Sequence, residues 1–237
     1  MDNEILHPQN TTKENFKMNI RDKEKIVFIG DSVTDAGRKR PVGEGLWEGT
    51  GNGYVRMIEN FLNVCYPERI IHIANTGISG NTTNDLIARF DTDCLNLHPD
   101  TVVICIGFND VWRYFDEPSL TEEHVSLETY AKNLEIMADR CREAGVRCIF
   151  MTPYYLEPNE KDLMRVKMDE YRGAMKQVAE AKALDCIDLQ DAFDQLLQYR
   201  YPAYISWDRI HPGQVGSLVI AKTFLKHMGF DFARLSM

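Results

Sequence analysis

Short apolar runs rich in β-branched residues recur along the chain and alternate with longer segments whose apolar residues have helical spacing. The runs span residues 26–29, 70–74, 102–106, 147–151 and 186–189. This alternation predicts a sheet of five parallel strands joined by helices. The stretch TVVICIG at residues 101–107 is continuously apolar, as in strands covered on both faces, so helices are expected on each side. The predicted fold is a three-layer α/β/α sandwich.

Helical spacing also predicts where the connecting helices lie, with Gly145 ending one of them. They are expected near residues 54–65, 84–95, 127–144, 161–182, 192–199 and 213–228. The glycine-rich stretch at residues 43–53 predicts a long loop, and such loops are often functional. A chain of 237 residues has the size of one α/β domain, which we assign to residues 23–237. The polar residues 1–22 are predicted to form a loose N-terminal arm.

The net charge of the chain limits the classes of molecule that it is expected to bind. The chain has 27 basic and 36 acidic residues, which gives a formal net charge of −9 at pH 7. This charge repels phosphate backbones and anionic lipids, so it disfavours nucleic-acid and membrane partners and favours a neutral small-molecule substrate. The longest apolar runs are too short to span a bilayer, and the polar first twenty residues lack the layout of a secretion signal. The expected location is the cytoplasm.

The cysteines agree with that location. They are irregularly spaced and form no CxxC pair of the kind that binds zinc or performs redox chemistry. We predict buried free thiols and no metal site, as is typical of a reducing cytoplasm. The cysteines are Cys65, Cys94, Cys105, Cys141, Cys148 and Cys186.

Polar clusters follow the first three predicted strands. They read GDSVTD at residues 30–35, NTGISGN at 75–81 and GFND at 107–110. Open parallel sheets bind ligands beyond the carboxyl ends of their strands, so these clusters are expected to converge on one edge. The segment WDRIHP at residues 207–212 comes later in the chain and is expected to fold over the same edge.

The clusters contain the components of a nucleophilic site. A serine hydroxyl is a poor nucleophile unless a base takes its proton and a third group holds that base in the right tautomer. We predict Ser32 as the nucleophile, His211 as the base and Asp208 as the third group. Asp208 precedes His211 by three positions, and in a turn this separation brings the carboxylate to one imidazole nitrogen while the other faces Ser32.

The negative oxygen that develops during ester cleavage needs fixed hydrogen-bond donors. We predict that the backbone N–H groups of Ser32 and Gly80 and the side-chain amide of Asn109 form this oxyanion hole. Gly80 suits the role because a residue without a Cβ lets the backbone approach a substrate closely.

Each feature has a structural alternative when it is taken alone. The residues around Ser32 are typical of a helix cap, those around Asn109 of a turn, and those around His211 of a helix entry. Independent structural causes would rarely place a serine, oxyanion donors and an acid–histidine pair at the strand ends of one sheet. The combination therefore indicates a serine hydrolase.

Four sequence blocks also match the signature of a known family. They are GDS at residues 30–32, SGNT with Gly80 at 79–82, GFND with Asn109 at 107–110, and DRIH at 208–211, in this order. On these blocks the chain resembles the SGNH hydrolases, also called GDSL esterases and lipases. The resemblance implies a flavodoxin-like fold, acyl-enzyme chemistry on Ser32, and neither a metal nor an organic cofactor.

Residues 30–53, 109–113 and 151–154 resemble, more narrowly, the intracellular acetylxylan-esterase branch of that family. This implies an esterase that removes short acyl groups, above all acetyl, from sugars or xylo-oligosaccharides. Trp47 and Trp112 are candidates to stack on a sugar ring, with core packing as the alternative. Asp31 is a further candidate for substrate contact, with hydrogen bonding to the backbone around the site as the alternative.

Two groups of surface candidates have open roles. Arg38, Arg40 and Arg113 are expected either to line the mouth of the site or to be solvated charges. An aromatic group near the His211 segment indicates either the contact of a homo-oligomer or packing within one chain. Its members are Tyr199, Tyr201, Tyr204 and Trp207.

Three other functions compete with the acetylesterase. A lysophospholipase or thioesterase of the same family would share the triad. A haloacid-dehalogenase-like phosphatase also begins with an aspartate after an apolar strand, but Val33 occupies the place of its second aspartate, so magnesium would lack a ligand. A non-catalytic carbohydrate-binding protein would keep the fold without activity, and the intact triad argues against it.

Overall fold

Five strands form one parallel sheet in the computed structural model, which describes residues 18–42 and 47–236. Each pair of neighbouring strands is parallel, and the order across the sheet is 2-1-3-4-5. The predicted five-stranded parallel sheet is thereby confirmed. The strands are β1 (Lys25–Gly30), β2 (His72–Asn75), β3 (Thr101–Cys105), β4 (Arg147–Met151) and β5 (Asp185–Ile187).

Two strand boundaries differ from the prediction for local reasons. The run at 70–74 was expected to be strand from its start, but Ile70 is 58% exposed and its N–H donates to the Asp22 carboxylate. Ile70 therefore lies outside the ladder of the sheet, and β2 begins at His72. The run at 186–189 stops short because Asp188 caps the next helix, so β5 ends at Ile187.

Helices cover both faces of the sheet, which confirms the three-layer sandwich. On one face α2 packs against α8, and α8 packs against α7; on the other, α3 packs against α5, and α5 against α6. The helices are α1 (Ser32–Asp35), α2 (Tyr54–Cys65), α3 (Thr83–Asp93), α4 (Phe108–Asp116), α5 (Leu127–Glu143), α6 (Leu163–Lys182), α7 (Leu189–Leu197) and α8 (Gln214–His227).

Side-chain caps explain where several helices begin. Ser126, Asp162 and Asp188 each accept a hydrogen bond from a backbone N–H in the first turn of α5, α6 and α7. Such bonds satisfy N–H groups that have no partner inside the helix. The starts predicted at residues 161 and 192 miss these caps, and the helices begin at Leu163 and Leu189.

The helix α4 was not predicted. Residues 107–110 were expected as a polar cluster or a turn, but Gly107 has φ 125° and is the N-cap of a helix that continues to Asp116. Since this φ favours glycine, Gly107 allows the chain to leave β3 and enter the helix at once. Asn109 and Asp110 therefore lie in the first turn of α4, and both are buried.

The beginning of the described chain packs on the domain. Residues 18–22 were assigned to a loose arm, yet Met18 and Ile20 are buried, and the Asn19 N–H donates to the Met228 carbonyl at 2.8 Å. The boundary at residue 22 is therefore too late by at least five residues. Residues 1–17 of the predicted arm and residues 43–46 of the predicted loop lie outside the described residues.

The cysteines match the prediction. All six are free, five are buried and Cys186 is half-buried. Across residues 18–42 and 47–236, no helix combines the length and the apolar character needed to cross a membrane.

Candidate active site

Ser32 lies at the carboxyl edge of the sheet, beyond the end of β1. It is the first residue of α1, directly after β1, and β1 pairs with β2 on one side and β3 on the other. The chain runs from β1 to β2 and from the neighbouring β3 to β4, in opposite directions across the sheet, and open parallel sheets bind ligands at such a switch point. Gly30 permits this tight exit, because a Cβ there would stand 2.2 Å from the Cys105 carbonyl oxygen.

The predicted triad residues meet at hydrogen-bond distance. The Ser32 Oγ lies 2.7 Å from the His211 Nε2, and the His211 Nδ1 lies 2.5 Å from the Asp208 Oδ2. Ser32 and His211 are 179 positions apart in the chain. The geometry is that of a hydroxyl with an adjacent base whose second nitrogen is held by a carboxylate.

The turn that carries His211 is held on the segment following β4. The Tyr154 hydroxyl donates to the Ile210 carbonyl at 2.8 Å, and the Leu156 N–H donates to the Arg209 carbonyl at 2.9 Å. Arg209 has φ 69°, in the left-handed region, which reverses the chain between Asp208 and His211. The two ends of the turn are joined by an antiparallel bridge between residues 206 and 212.

Asp208 is fixed by four hydrogen bonds. Its Oδ1 accepts from the Ile210 N–H at 3.0 Å, the His211 N–H at 2.8 Å and the Ser206 hydroxyl at 2.9 Å, while its Oδ2 faces His211. Burial alone would raise the pKa of Asp208, but these bonds outweigh it and hold the pKa below its ordinary value. Asp208 is therefore an anion that favours a proton on the His211 Nδ1.

Two backbone donors of the predicted oxyanion hole have no protein acceptor. Among the described residues, neither the Ser32 N–H nor the Gly80 N–H donates a hydrogen bond. Gly80 has φ 84°, and a Cβ there would meet no atom within 4 Å. Glycine is thus required at position 80 by its backbone conformation, and the space above it is open.

The third predicted donor, Asn109, has an oriented side chain. Its Nδ2 donates to the Asn81 carbonyl at 2.9 Å, and its Oδ1 accepts from the Arg113 guanidinium at 3.4 Å. These partners distinguish the two ends of the amide. One Nδ2 proton remains available beyond the bond to Asn81.

Asp31 is enclosed by the protein. It is completely buried, and its Oδ1 accepts from the Val33 N–H at 3.0 Å, so it caps α1. Its Oδ2 is buried without a hydrogen-bond partner, and burial raises the pKa of Asp31 to about 8. This burial does not fit the predicted substrate contact of Asp31, and the bond to Val33 agrees with the alternative of backbone hydrogen bonding near the site.

The two predicted sugar-stacking residues have different surroundings. Trp112 is half-buried in α4, and its ring centre lies 5.6 Å from that of His211. Trp47 is 89% exposed and follows the residues that are not described. The structure thus brings Trp112 to the triad and leaves Trp47 on the surface.

The three arginines considered for the mouth of the site also differ. Arg38 is buried and donates to the Gly77 carbonyl at 2.8 Å, and burial lowers its pKa. Arg40 is half exposed and forms an ion pair with Asp35, whereas Arg113 contacts Asn109 and Asp116. None of the three is a freely solvated charge.

Sequence reasoning missed the residues that hold the site together. Asp110 is buried and accepts from the Thr83 N–H and hydroxyl, and burial raises its pKa to about 6 although these bonds oppose the rise. Arg89 in α3 reaches the exits of two strands. The GFND block marked Asp110 without its partner, and no local signal distinguished Arg89 from a solvated helix charge.

No group of three or more His, Cys, Asp or Glu side chains could hold a metal ion within the part of the chain that is described. Val33, at the position where a phosphatase would need its second aspartate, is a buried residue of α1. A groove of about 280 Å³ adjoins Asp208 and is lined by Tyr155, Tyr201, Pro202, Ala203, Ser206, Trp207, Asp208 and Arg209.

The chain matches a family model over most of its length. Residues 28–218 match the GDSL-like lipase/acylhydrolase family. An acetylxylan esterase of Geobacillus stearothermophilus is 44% identical over 217 residues, which are 92% of this chain and 99% of that protein.

Solved structures give the same result for the fold. The crystal structure of Axe2, an acetylxylan esterase from Geobacillus stearothermophilus, matches with a TM-score of 0.88 and 44% identity and covers 90% of this chain and 98% of its own. The α/β hydrolase LAE5 from the metagenome of Lake Arreo, Spain, matches with a TM-score of 0.88 and 45% identity over 90% of this chain and 99% of its own. Catalytic mutants of Axe2 at a serine, a histidine and an aspartate match equally well.

Proposed function

Because the chain belongs to the GDSL-like lipase/acylhydrolase family and is a carboxylic ester hydrolase, we propose that it removes acetyl groups from acetylated xylo-oligosaccharides. Ser32 is the nucleophile, His211 the general base and acid, and Asp208 the residue that orients His211. The Ser32 N–H, the Gly80 N–H and the Asn109 amide hold the oxyanion.

One observation carries the catalytic assignment: the continuous hydrogen-bonded chain from the Ser32 Oγ through His211 to Asp208, with distances of 2.7 and 2.5 Å. The comparison with Axe2 supports it. The serine and histidine replaced in the catalytic mutants of Axe2 stand 179 positions apart, which is the separation of Ser32 and His211. The aspartate replaced there precedes the histidine by three positions, as Asp208 precedes His211.

The proposed reaction has two halves. The Ser32 Oγ attacks the acetyl carbonyl carbon while the His211 Nε2 takes the hydroxyl proton, and the carbonyl oxygen becomes the oxyanion. The bond between the carbonyl carbon and the sugar oxygen then breaks, and His211 returns the proton to that oxygen. In the second half His211 takes a proton from water, the water oxygen attacks the acetyl-enzyme, and acetate leaves as Ser32 regains its proton.

The substrate assignment rests on relatives. Axe2 is described both as an acetylxylan esterase and as an acetyl-xylooligosaccharide esterase, and it covers nearly all of this chain. The position of Trp112, with its ring beside the imidazole of His211, supports a sugar ring as part of the leaving group.

The test compares substrates and uses a nucleophile variant as the control. Acetylated xylo-oligosaccharides and p-nitrophenyl acetate should be hydrolysed, p-nitrophenyl esters of long acyl chains should react more slowly, and Ser32→Ala should lose both activities. Faster hydrolysis of long-chain esters would favour the lysophospholipase or thioesterase alternative. Saccharide binding with no hydrolysis by the unmodified protein would favour the carbohydrate-binding alternative.

Two further expectations belong to this proposal. The protein acts in the cytoplasm, which fractionation of cells would test. It also forms a homo-oligomer through the aromatic group named above, whose members Tyr199, Tyr201, Tyr204 and Trp207 are 67–82% exposed. Packing within the chain, the alternative for these residues, does not fit this exposure, and size-exclusion chromatography with light scattering would measure the assembly.

A further inference from the structure

The donors of the oxyanion hole come from three separate segments. Ser32 follows β1, Gly80 lies in the loop between β2 and α3, and Asn109 lies in α4 after β3. An oxyanion hole accelerates a reaction only when its donors keep their places as negative charge develops. Something must therefore fix the three segments relative to one another beyond the ends of the strands.

The guanidinium of Arg89 bonds directly to two of these segments, the one that leads to Ser32 and the loop that carries Gly80. Its Nη2 donates to the Gly30 carbonyl at 3.0 Å, two residues before Ser32, and its Nη1 donates to the Thr76 carbonyl at 2.7 Å, just after β2. Its Nε donates to the Asn81 Oδ1 at 2.7 Å, one residue after Gly80.

Asn81 extends this contact to the third segment. While its side chain accepts from Arg89, its backbone carbonyl accepts from the Asn109 Nδ2 at 2.9 Å. The orientation of the Asn109 amide therefore depends on the position of Asn81. Through Asn81, Arg89 is connected to all three oxyanion segments.

The Arg89 side chain is 13% exposed, and Asp93, one turn later in α3, pairs with it at 3.1 Å. A solvated helix charge would need only the Asp93 contact. The planar guanidinium instead presents its donors in fixed directions, which suits three acceptors on two segments better than the single ammonium of a lysine does.

We propose that Arg89 is a positioning residue for the oxyanion hole, one guanidinium that holds the segments of Ser32, Gly80 and Asn109 in register. This inference rests on the proposed esterase function. Arg89 touches no reacting atom, so its effect reaches the transition state through the placement of the three donors.

The experiment measures p-nitrophenyl acetate hydrolysis by Arg89→Ala and Arg89→Lys. Small misplacements of catalytic groups can cost about 100-fold in rate, so kcat should fall about 10- to 100-fold in Arg89→Ala while KM changes little. Arg89→Lys should recover only part of this loss. Because the side chain is partly exposed, added ethylguanidinium should enter the space left in Arg89→Ala and restore activity in a saturable way.

A tetrahedral inhibitor separates positioning from general weakening of the fold. Phenylboronic acid forms a tetrahedral adduct with an active serine, and its affinity should fall by about the factor by which kcat/KM falls. Arg140→Ala is the matched control, because Arg140 contacts α3 through the Ile87 carbonyl and Asp91 but none of the oxyanion segments. It should keep kcat and the affinity for the boronic acid.

Asn81→Ala is a second variant, which removes the bond between Arg89 and Asn81 and leaves the bonds of Arg89 to Gly30 and Thr76 in place. It provides the test if Arg89→Ala does not fold. It should also lower kcat with little change in KM. Unchanged kcat in folded Arg89→Ala or in Asn81→Ala, or equal losses in Arg140→Ala, would overturn the inference. Failure of the proposed function is distinguishable, since Ser32→Ala would then remain active.

Discussion

The replacement Asp208→Asn tests the tautomer of His211 with little change in the shape of the site. Asp208 uses its two oxygens differently: Oδ1 accepts from the Ile210 N–H, the His211 N–H and the Ser206 hydroxyl, whereas Oδ2 accepts only from the His211 Nδ1. An asparagine has one acceptor end and one donor end. Three donors therefore require its oxygen at the Oδ1 position, and its NH₂ group must face the imidazole.

This orientation reverses the roles of the two imidazole nitrogens. The His211 Nδ1 must then accept a proton from the asparagine, so the proton of a neutral imidazole moves to Nε2, which faces the Ser32 Oγ at 2.7 Å. A protonated Nε2 is unable to take the hydroxyl proton. By analogy with other serine triads, kcat should fall about 10⁴-fold, which is about 5 kcal/mol in the activation free energy.

Stability should change far less than activity. The three bonds to the Oδ1 position persist in the asparagine variant, and the net contribution of one hydrogen bond is about 1 kcal/mol, or somewhat more when a partner is charged. Thermal unfolding should therefore show a decrease in Tm of only a few degrees, beside a loss of nearly all p-nitrophenyl acetate hydrolysis. Ser206→Ala is the matched control, because it removes one bond to Asp208 without changing the tautomer. Turnover by Asp208→Asn within tenfold of the unmodified enzyme would refute the assigned roles of Asp208 and His211.

Three further predictions follow from the site. Asn109→Ala should lower kcat for p-nitrophenyl acetate about 10²- to 10³-fold with little change in KM, and an unchanged kcat would remove Asn109 from the oxyanion hole. Burial raises the pKa of Asp31 from 3.8 to about 8, so the stability associated with its neutral form is complete below about pH 4 and is lost as the pH rises through about 8. Asp31→Asn should therefore raise Tm more at pH 9 than at pH 5 in scanning calorimetry, and an equal shift at both values would contradict the buried neutral carboxyl. EDTA should leave esterase activity unchanged, since the proposed reaction uses only Ser32, His211, Asp208 and the oxyanion donors, and a loss that is restored by added metal would contradict this mechanism.

The sheet was predictable because its strands are covered on both faces. β3 is completely buried along its length, so its sequence is an uninterrupted apolar run, and such runs stand out in a chain with ordinary composition. The triad was predictable for a different reason: a serine, a histidine and an aspartate at strand ends and in a late turn have few structural explanations in common. The fold and the candidates for the reacting side chains could therefore both be predicted from the sequence.

The contacts that hold the site residues in place could not be predicted from the sequence in the same way. In the sequence, Asp31 is simply a polar residue next to Ser32. Its complete burial and its hydrogen bond to the Val33 N–H show that it caps α1. The sequence Gly107-Phe108-Asn109 is typical of a turn, yet Gly107 is the N-cap of α4 and Phe108 is its first residue. The burial of Asp31 and the formation of α4 depend on contacts with distant parts of the chain, which local residue preferences do not predict.

The distance between Ser32 and His211 illustrates this limit. The contact between Asp208 and His211 is made within one turn, since Asp208 also accepts the His211 backbone N–H at 2.8 Å. The contact with Ser32 depends instead on how that turn docks, through the Tyr154 hydroxyl and the Leu156 N–H, on the segment that follows β4. β4 lies beside β3, and β3 beside β1, so the order of strands in the sheet determines where His211 stands relative to Ser32. The spacing of aspartate and histidine is thus a local property that sequence can predict, whereas the 2.7 Å between the Ser32 Oγ and the His211 Nε2 is a property of the assembled sheet.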